Sequence, residues 1–170
     1  TELEALLLGA VEKALENLNE ARQREGEFLL NDLKLKLDNI RSHLEFIEKK
    51  VPEFISSYEE KLRARIEELT GDRQIDESRL LTEVAIFADK SAVDEEIVRL
   101  KSHIDAFISA ADSENAHSEG VGRKLDFIVQ EMNRESNTIL SKSPDMEVSE
   151  HAVEIKTDIE KIREQIQNIE

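Results

Sequence analysis

From Leu30 to Val51 the chain repeats one apolar spacing. Leu30, Leu33, Leu37, Ile40, Leu44, Ile47 and Val51 stand three, four, three, four, three and four residues apart. An a/d seam of this kind gives a helix one continuous apolar stripe, which it must bury against another helix. A strand, with its period of two, cannot use such spacing. Composition agrees. The 170 residues hold five Gly and two Pro, too few for the frequent turns that sheets and barrels require. The expected fold class is all-α: a long helical hairpin or coiled-coil segment followed by a smaller helical bundle.

The seam has neighbours on both sides. Leu3, Leu7, Ala10, Ala14, Leu18 and Ala21 precede it at spacings of three and four, with Gly26 as a break between the two stretches. Pro52 interrupts the seam and suits the first turn of a new helix. That third helix carries Ile55, Tyr58, Leu62, Ile66 and Leu69 and stops at Thr70-Gly71, where glycine takes the left-handed position after a helix. A domain division is placed there: residues 1–71 a long helical hairpin, residues 72–170 a helical domain.

Four shorter helices are predicted beyond it. Residues 72–75 are a polar connection, and Asp76 caps a helix with Leu80, Val84 and Phe87. Ser91, with Asp94 three residues on, reads as the cap of a helix striped by Val93, Ile97, Leu100, Ile104, Phe107, Ile108 and Ala111. Residues 112–120 are polar and loop-like, and a sixth helix runs from Val121 to Ser141. Ser143-Pro144 reads as cap and first residue of the last helix, seamed by Val148, Ala152, Ile155, Ile159, Ile162, Ile166 and Ile169.

Charge and composition narrow the function classes. The chain has 39 acidic and 23 basic residues, a formal charge of −16, which repels rather than steers nucleic acid. No cysteine is present, so disulfides, thiolate zinc sites and a cysteine nucleophile are excluded. Apolar runs are short and no signal-peptide pattern opens the chain, so a soluble, cytoplasmic protein with no membrane partner is expected. A start at Thr1 rather than Met reads as a fragment.

The sixth predicted helix carries two organised stripes. Val121, Leu125, Ile128, Met132, Ser136 and Ile139 form the apolar one. Arg123, Phe127, Gln130, Arg134 and Asn137 fall opposite, at spacings of four, three, four and three. Guanidiniums hold phosphates, amides read bases or sugars, and an aromatic stacks on a base. The competing reading is a second packed face, with Phe127 against another helix and the polar groups paired locally.

The fifth predicted helix offers Glu95, Glu96, Arg99 and His103, with Glu96 and His103 seven apart on one side. A carboxylate and an imidazole there suit general acid–base work or a divalent metal. Glu83 and Asp89 on the preceding helix extend a candidate metal set of Glu83, Asp89, Glu95 and Glu96, for Mg²⁺ or Mn²⁺. The competing reading is solvated surface charge. His43, His117 and His151 stand alone and read as surface residues. Glu114-Asn-Ala-His117 has the spacing of a di-iron motif but lies in the polar loop and is rejected. No Walker A, GxGxxG, HExxH or GxSxG motif occurs.

Three ordered blocks carry a family resemblance: EVAIFADKSAVDEEIVRLKSHIDAF from Glu83, GRKLDFIVQEMNRESNTILSKS from Gly122, and the ending EIKTDIEKIREQIQNIE. Together they resemble the YicC/YloC family of bacterial proteins over roughly residues 75–170. REGEFLLNDL and YEEKLRARIEEL upstream resemble the end of that family's N-terminal region, whose further domain is absent here. Ala92-Val93 departs from the family's common Asp-Ile.

The resemblance implies part of a metal-dependent endoribonuclease acting on single-stranded RNA, including small regulatory RNA, in a homo-oligomer, reportedly a hexamer. No small-molecule cofactor is implied. His103, Glu96 and Arg99 become the catalytic candidates, and Arg123, Lys124, Phe127, Gln130, Arg134, Asn137 and Lys142 the RNA-binding ones. The alternative is a coiled-coil oligomerisation or scaffold module without catalytic activity.

Overall fold

A computed structural model describes residues 2–71, 76–112, 120–143 and 145–167. Five helices make up the described residues: α1 (Glu2–Thr70), α2 (Glu77–Ser91), α3 (Asp94–Ala111), α4 (Val121–Lys142) and α5 (Met146–Ile166). The chain is all-α, a long helical segment followed by shorter helices.

The long segment is one helix and not a hairpin, because α1 passes through both Gly26 and Pro52. A glycine inside a helix costs only about 0.5–1 kcal/mol, too little to end one. An interior proline costs about 3 kcal/mol, and here packing on either side of it outweighs that cost. Leu44, Ile47 and Val51 are buried before it. Beyond it Tyr58 stacks on Phe87 of α2 with ring centroids 3.7 Å apart, and Phe54 meets the same ring at 5.7 Å. The helix stops where expected. Gly71 adopts φ 59°, and its N–H donates to the Glu67 carbonyl at 2.9 Å.

The chain divides into two compact units, Thr1–Leu35 and Lys36–Glu170. The division falls inside α1 rather than at Gly71. In the first unit residues 2–28 are exposed on every side, and Leu3, Leu7 and Leu18 are 78%, 67% and 52% exposed. Among the described residues nothing covers their apolar seam.

In the second unit the seam is buried within the chain itself. Leu37, Ile40, Leu44 and Ile47 have no exposed surface. Arg41 pairs with Asp105 and Lys101 with Glu48, tying α1 to α3, while Lys50 pairs with Glu147 of α5 at 3.0 Å. Helix α4 packs on both α3 and α5. The core so formed takes Leu100, Ile104 and Phe107 from α3, Val129, Met132 and Ile139 from α4, and Ala152, Ile155, Ile159 and Ile162 from α5.

Side-chain caps begin α2 and α5, whereas α3 and α4 start without one. Asp76 accepts from the Arg79 N–H at 3.3 Å, as its position predicts. Ser91 does not cap α3; it is the buried last residue of α2, and the helix starts after Val93 with no side-chain cap. The acids Asp94, Glu95 and Glu96 of the first turn complement the helix dipole instead. Nor does Ser143 cap α5. Its hydroxyl bonds back to the Ile139 carbonyl at 2.7 Å and closes α4. Asp145 caps α5, accepting from the N–H groups of Glu147 and Val148 at 2.9 and 3.3 Å. The readings placed on residues 72–75, on most of the 112–120 loop including Glu114 and His117, and on Pro144 and Ile169 lie outside the described residues.

Candidate nucleic-acid interface

The site grows out of α4, which buries two faces. Leu125, Ile128, Met132, Ser136 and Ile139 are buried on the predicted stripe, and Val129 and Glu135 are buried besides. A helix packed on two sides keeps narrow solvent-facing strips beside each contact. The predicted polar stripe lies on one of these.

Between α4 and α5 runs an open groove of about 570 Å³, lined by Val129, Gln130, Asn133, Arg134, Asn137, Thr138 and Arg163. The sequence-predicted Gln130, Arg134 and Asn137 therefore meet in one place. Asn133, Thr138 and Arg163 join them, and no carboxylate belongs to the lining. In a chain of charge −16 that local composition stands apart. The amides are held in order. Asn133 donates to Glu160 at 3.1 Å, Asn137 donates to Asn133 at 3.4 Å, and Gln130 donates to Asp126 at 2.7 Å. The Nε of Arg163 is buried without a hydrogen-bond partner, while its Nη1 lies 3.6 Å from Glu160.

Across α4 lies a smaller recess of about 350 Å³ against α3, lined by Arg99, Ser102, His103, Glu131, Arg134 and Glu135. Arg134 lines both hollows. It is 76% exposed, with Glu131 at 4.0 Å as its ion-pair partner, so its guanidinium is available to either side. His103 lines the recess together with Arg99.

The remaining candidates divide by environment. Arg123, Lys124 and Phe127 lie toward solvent on α4, Phe127 to 62%. Among the described residues nothing covers the Phe127 ring, which precedes Gln130 by one turn along the helix. Lys142 does not join them. Its ammonium donates to Glu96 at 3.0 Å and to the Ala92 carbonyl at 2.9 Å. Glu96 also takes Arg99 Nη2 at 3.4 Å, and Arg99 Nε lies 3.2 Å from Glu135. The side chains of Glu96 and Glu135 are 7% and 10% exposed. Two buried carboxylates and two cations therefore form one chain of ion pairs that clasps the start of α3 to the end of α4. Charges so enclosed need each other, since an unpaired buried charge is strongly unfavourable.

This network settles the geometry of the metal set. Glu83, Asp89 and Glu95 are exposed, whereas Glu96 faces inward to Lys142 and Arg99. Among the described residues no group of three or more His, Asp or Glu side chains is placed to hold a metal ion. Their oxygen chemistry suits Mg²⁺, and Glu96 is the one of the four that is engaged by Lys142 and Arg99.

Sequence reading missed Asn133, Glu135 and Arg163 as a working set. Asn133 and Glu135 were visible as polar residues in a helix otherwise legible by period. Arg163 sits on another helix, and only packing brings it to the groove.

Fold and site define a class: an all-helical module carrying a groove lined by amides and guanidiniums, with the carboxylates of Asp126, Glu131 and Glu160 as their partners, beside an imidazole recess. Residues 47–170 match the family described as "Endoribonuclease YicC-like, C-terminal", and the chain belongs to that family. Two curated relatives agree. A "Probable endoribonuclease YicC" of Clostridioides difficile is 49% identical over 167 residues, 98% of this chain and 56% of the relative. A protein of the same name from Haemophilus influenzae is 37% identical over 164 residues, 96% of this chain and 55% of the relative. The chain thus spans about half the length of these relatives. No described helix is long and apolar enough to cross a membrane.

Proposed function

We propose that this chain is the helical portion of an endoribonuclease for single-stranded RNA, small regulatory RNA included, and that the α4–α5 groove receives the RNA. One observation carries the reading: Arg134 lines both the α4–α5 groove and the recess that holds His103. A phosphate held by Arg134 would lie within reach of an imidazole, the side chain best suited to moving a proton near neutral pH. Arg163 adds a second cation, the amides of Gln130 and Asn137 can bond sugar or base, and exposed Phe127 offers a stacking surface. Arg123 and Lys124 extend the cationic strip along α4.

Phosphodiester cleavage by water and cleavage by the neighbouring 2′-OH both need a proton acceptor beside the reacting oxygen and a cation on the phosphate. His103 and Arg134 supply those groups for either route. Arg99 is oriented by Glu96 and Glu135 rather than free to bind. Mg²⁺ or Mn²⁺ is proposed as a cofactor of the whole-length protein, with ligands outside the described residues. The proposed RNA substrate goes with a cytoplasmic location. The test compares single-stranded RNA cleavage by the full-length protein and its His103→Ala and Arg134→Ala variants. Loss of cleavage in folded variants supports the reading, and wild-type rates in both end it.

A second reading has its own observation. The uncovered leucine seam of the first unit suits helix–helix association, and we propose it as the contact of a homo-oligomer, the hexamer among them. On this reading the chain is an assembly module. Sedimentation of the chain with Leu7→Glu and Leu18→Glu tests it: an unchanged oligomeric state rejects it.

A further inference from the structure

His43 and His151 read as isolated surface residues, yet the fold brings them together from 108 positions apart, with Nδ1 facing Nδ1 at 2.7 Å. The rings meet edge to face, their centroids 4.8 Å apart at 65°. Phe46 stacks on the other side of His151 at 3.8 Å and 11°. Both imidazoles are partly buried.

The spacing fixes the proton count. A hydrogen bond between two Nδ1 atoms needs a proton on one and a bare lone pair on the other. The pair satisfies this when both rings are neutral, and also when one is an imidazolium. When both are imidazoliums, two N–H groups confront each other and two positive charges share one contact, so the bond cannot exist.

We propose that His43 and His151 form a proton-sensitive clasp between α1 and α5, closed while a single proton bridges the two Nδ1 atoms and released when each ring holds its own.

The surroundings set the direction of the response. Burial pushes the His151 pKa below the usual histidine value, and the charge of His43 pushes the same way. Glu150, Glu147 and Glu154 of α5 oppose the shift. Glu147 is engaged by Lys50 of α1 at 3.0 Å, the other charged group at this contact. The unfolded chain takes up both protons near pH 6.5, whereas the clasp resists the second. The folded state then binds fewer protons, so stability from the clasp is complete above about pH 6.5 and drains away as pH falls below it.

Neither His43 nor His151 lines the groove or the recess, so the success or failure of the clasp is independent of the RNA reading. Urea unfolding of the 170-residue chain and of His43→Gln is compared between about pH 7.5 and about pH 5. Glutamine can still donate to His151 but cannot take a proton. The wild-type folding constant is expected to fall at least about threefold further than that of the variant over this range. Imidazole NMR on the unmodified chain adds a readout that needs no variant: one ring stays neutral after the other has titrated. Parallel stability curves, or two rings titrating independently in the ordinary histidine range, overturn the proposal.

Discussion

The Lys142 ammonium donates to the Glu96 carboxylate at 3.0 Å, joining residues 46 positions apart at the end of α4 and the start of α3. Both residues read from sequence as working parts of a site, one for RNA and one for metal or catalysis. The contact gives them a different duty. It closes a chain of four charges, Lys142, Glu96, Arg99 and Glu135, that fixes α3 against α4 and holds Arg99 at the edge of the recess with His103.

Lys142→Met therefore destabilises the chain. Lys142 is one-third exposed and Glu96 nearly buried, so the expected loss is that of a charge-assisted hydrogen bond, about 1.5–3 kcal/mol. Urea denaturation measures it. RNA affinity of the folded variant should stay near wild type. An unchanged midpoint with weakened RNA binding would return Lys142 to the interface.

Arg134→Ala and Arg163→Ala act on binding instead. Each removes one cation from the groove lining. Affinity for single-stranded RNA falls, and the slope of log affinity against log salt shrinks by about 0.7 for each phosphate that is no longer neutralised. Fluorescence anisotropy across a salt series reads both quantities. Weaker affinity with an unaltered slope would mean that the arginine acts on fold or stacking rather than on phosphate.

Periodicity made the helices legible because each buries a stripe, and a stripe is a local property of sequence. It overshot at Gly26 and Pro52, where a local cost was read as a break. The burial of Ile47 and Val51 and the stacking of Tyr58 on Phe87, which carry α1 through, are long-range. The polar stripe of α4 was legible for the same reason as the apolar one. Arg163 and the His43–His151 contact were not, since each depends on which helix lies beside which. Glu96 shows the limit best: its spacing to His103 is right for a site, yet burial and Lys142 decide what it does.

Mg²⁺ and Mn²⁺ give a test of the carboxylates. Ligand binding to the folded state raises its melting temperature, and no described group of three carboxylate or imidazole ligands is formed here. Neither ion should raise the Tm of the 170-residue chain by more than ionic strength alone does. A rise that disappears in Asp89→Ala or Glu95→Ala would show that the exposed carboxylates gather on a metal after all.

Helix α2 gives the last prediction, because little of it is buried. Leu80 and Ser91 are its only fully buried residues, and among the described contacts Phe87 and the Arg63–Glu77 ion pair tie it to α1. Arg63 meets Glu77 through two hydrogen bonds, 2.7 and 3.0 Å. That contact holds the Glu77 carboxyl below the usual range. A depressed carboxylate contributes stability above its unfolded pKa, here near 4.5, and loses it as pH falls from there through the folded value. Acid should then loosen α2 before the α3–α4–α5 core. Amide exchange, corrected for intrinsic pH effects, should accelerate in residues 77–88 below about pH 4.5 while residues 128–139 stay protected. Glu77→Gln should show the faster α2 exchange at neutral pH. If α2 exchanges identically in wild type and variant, the aromatic contact alone fastens it.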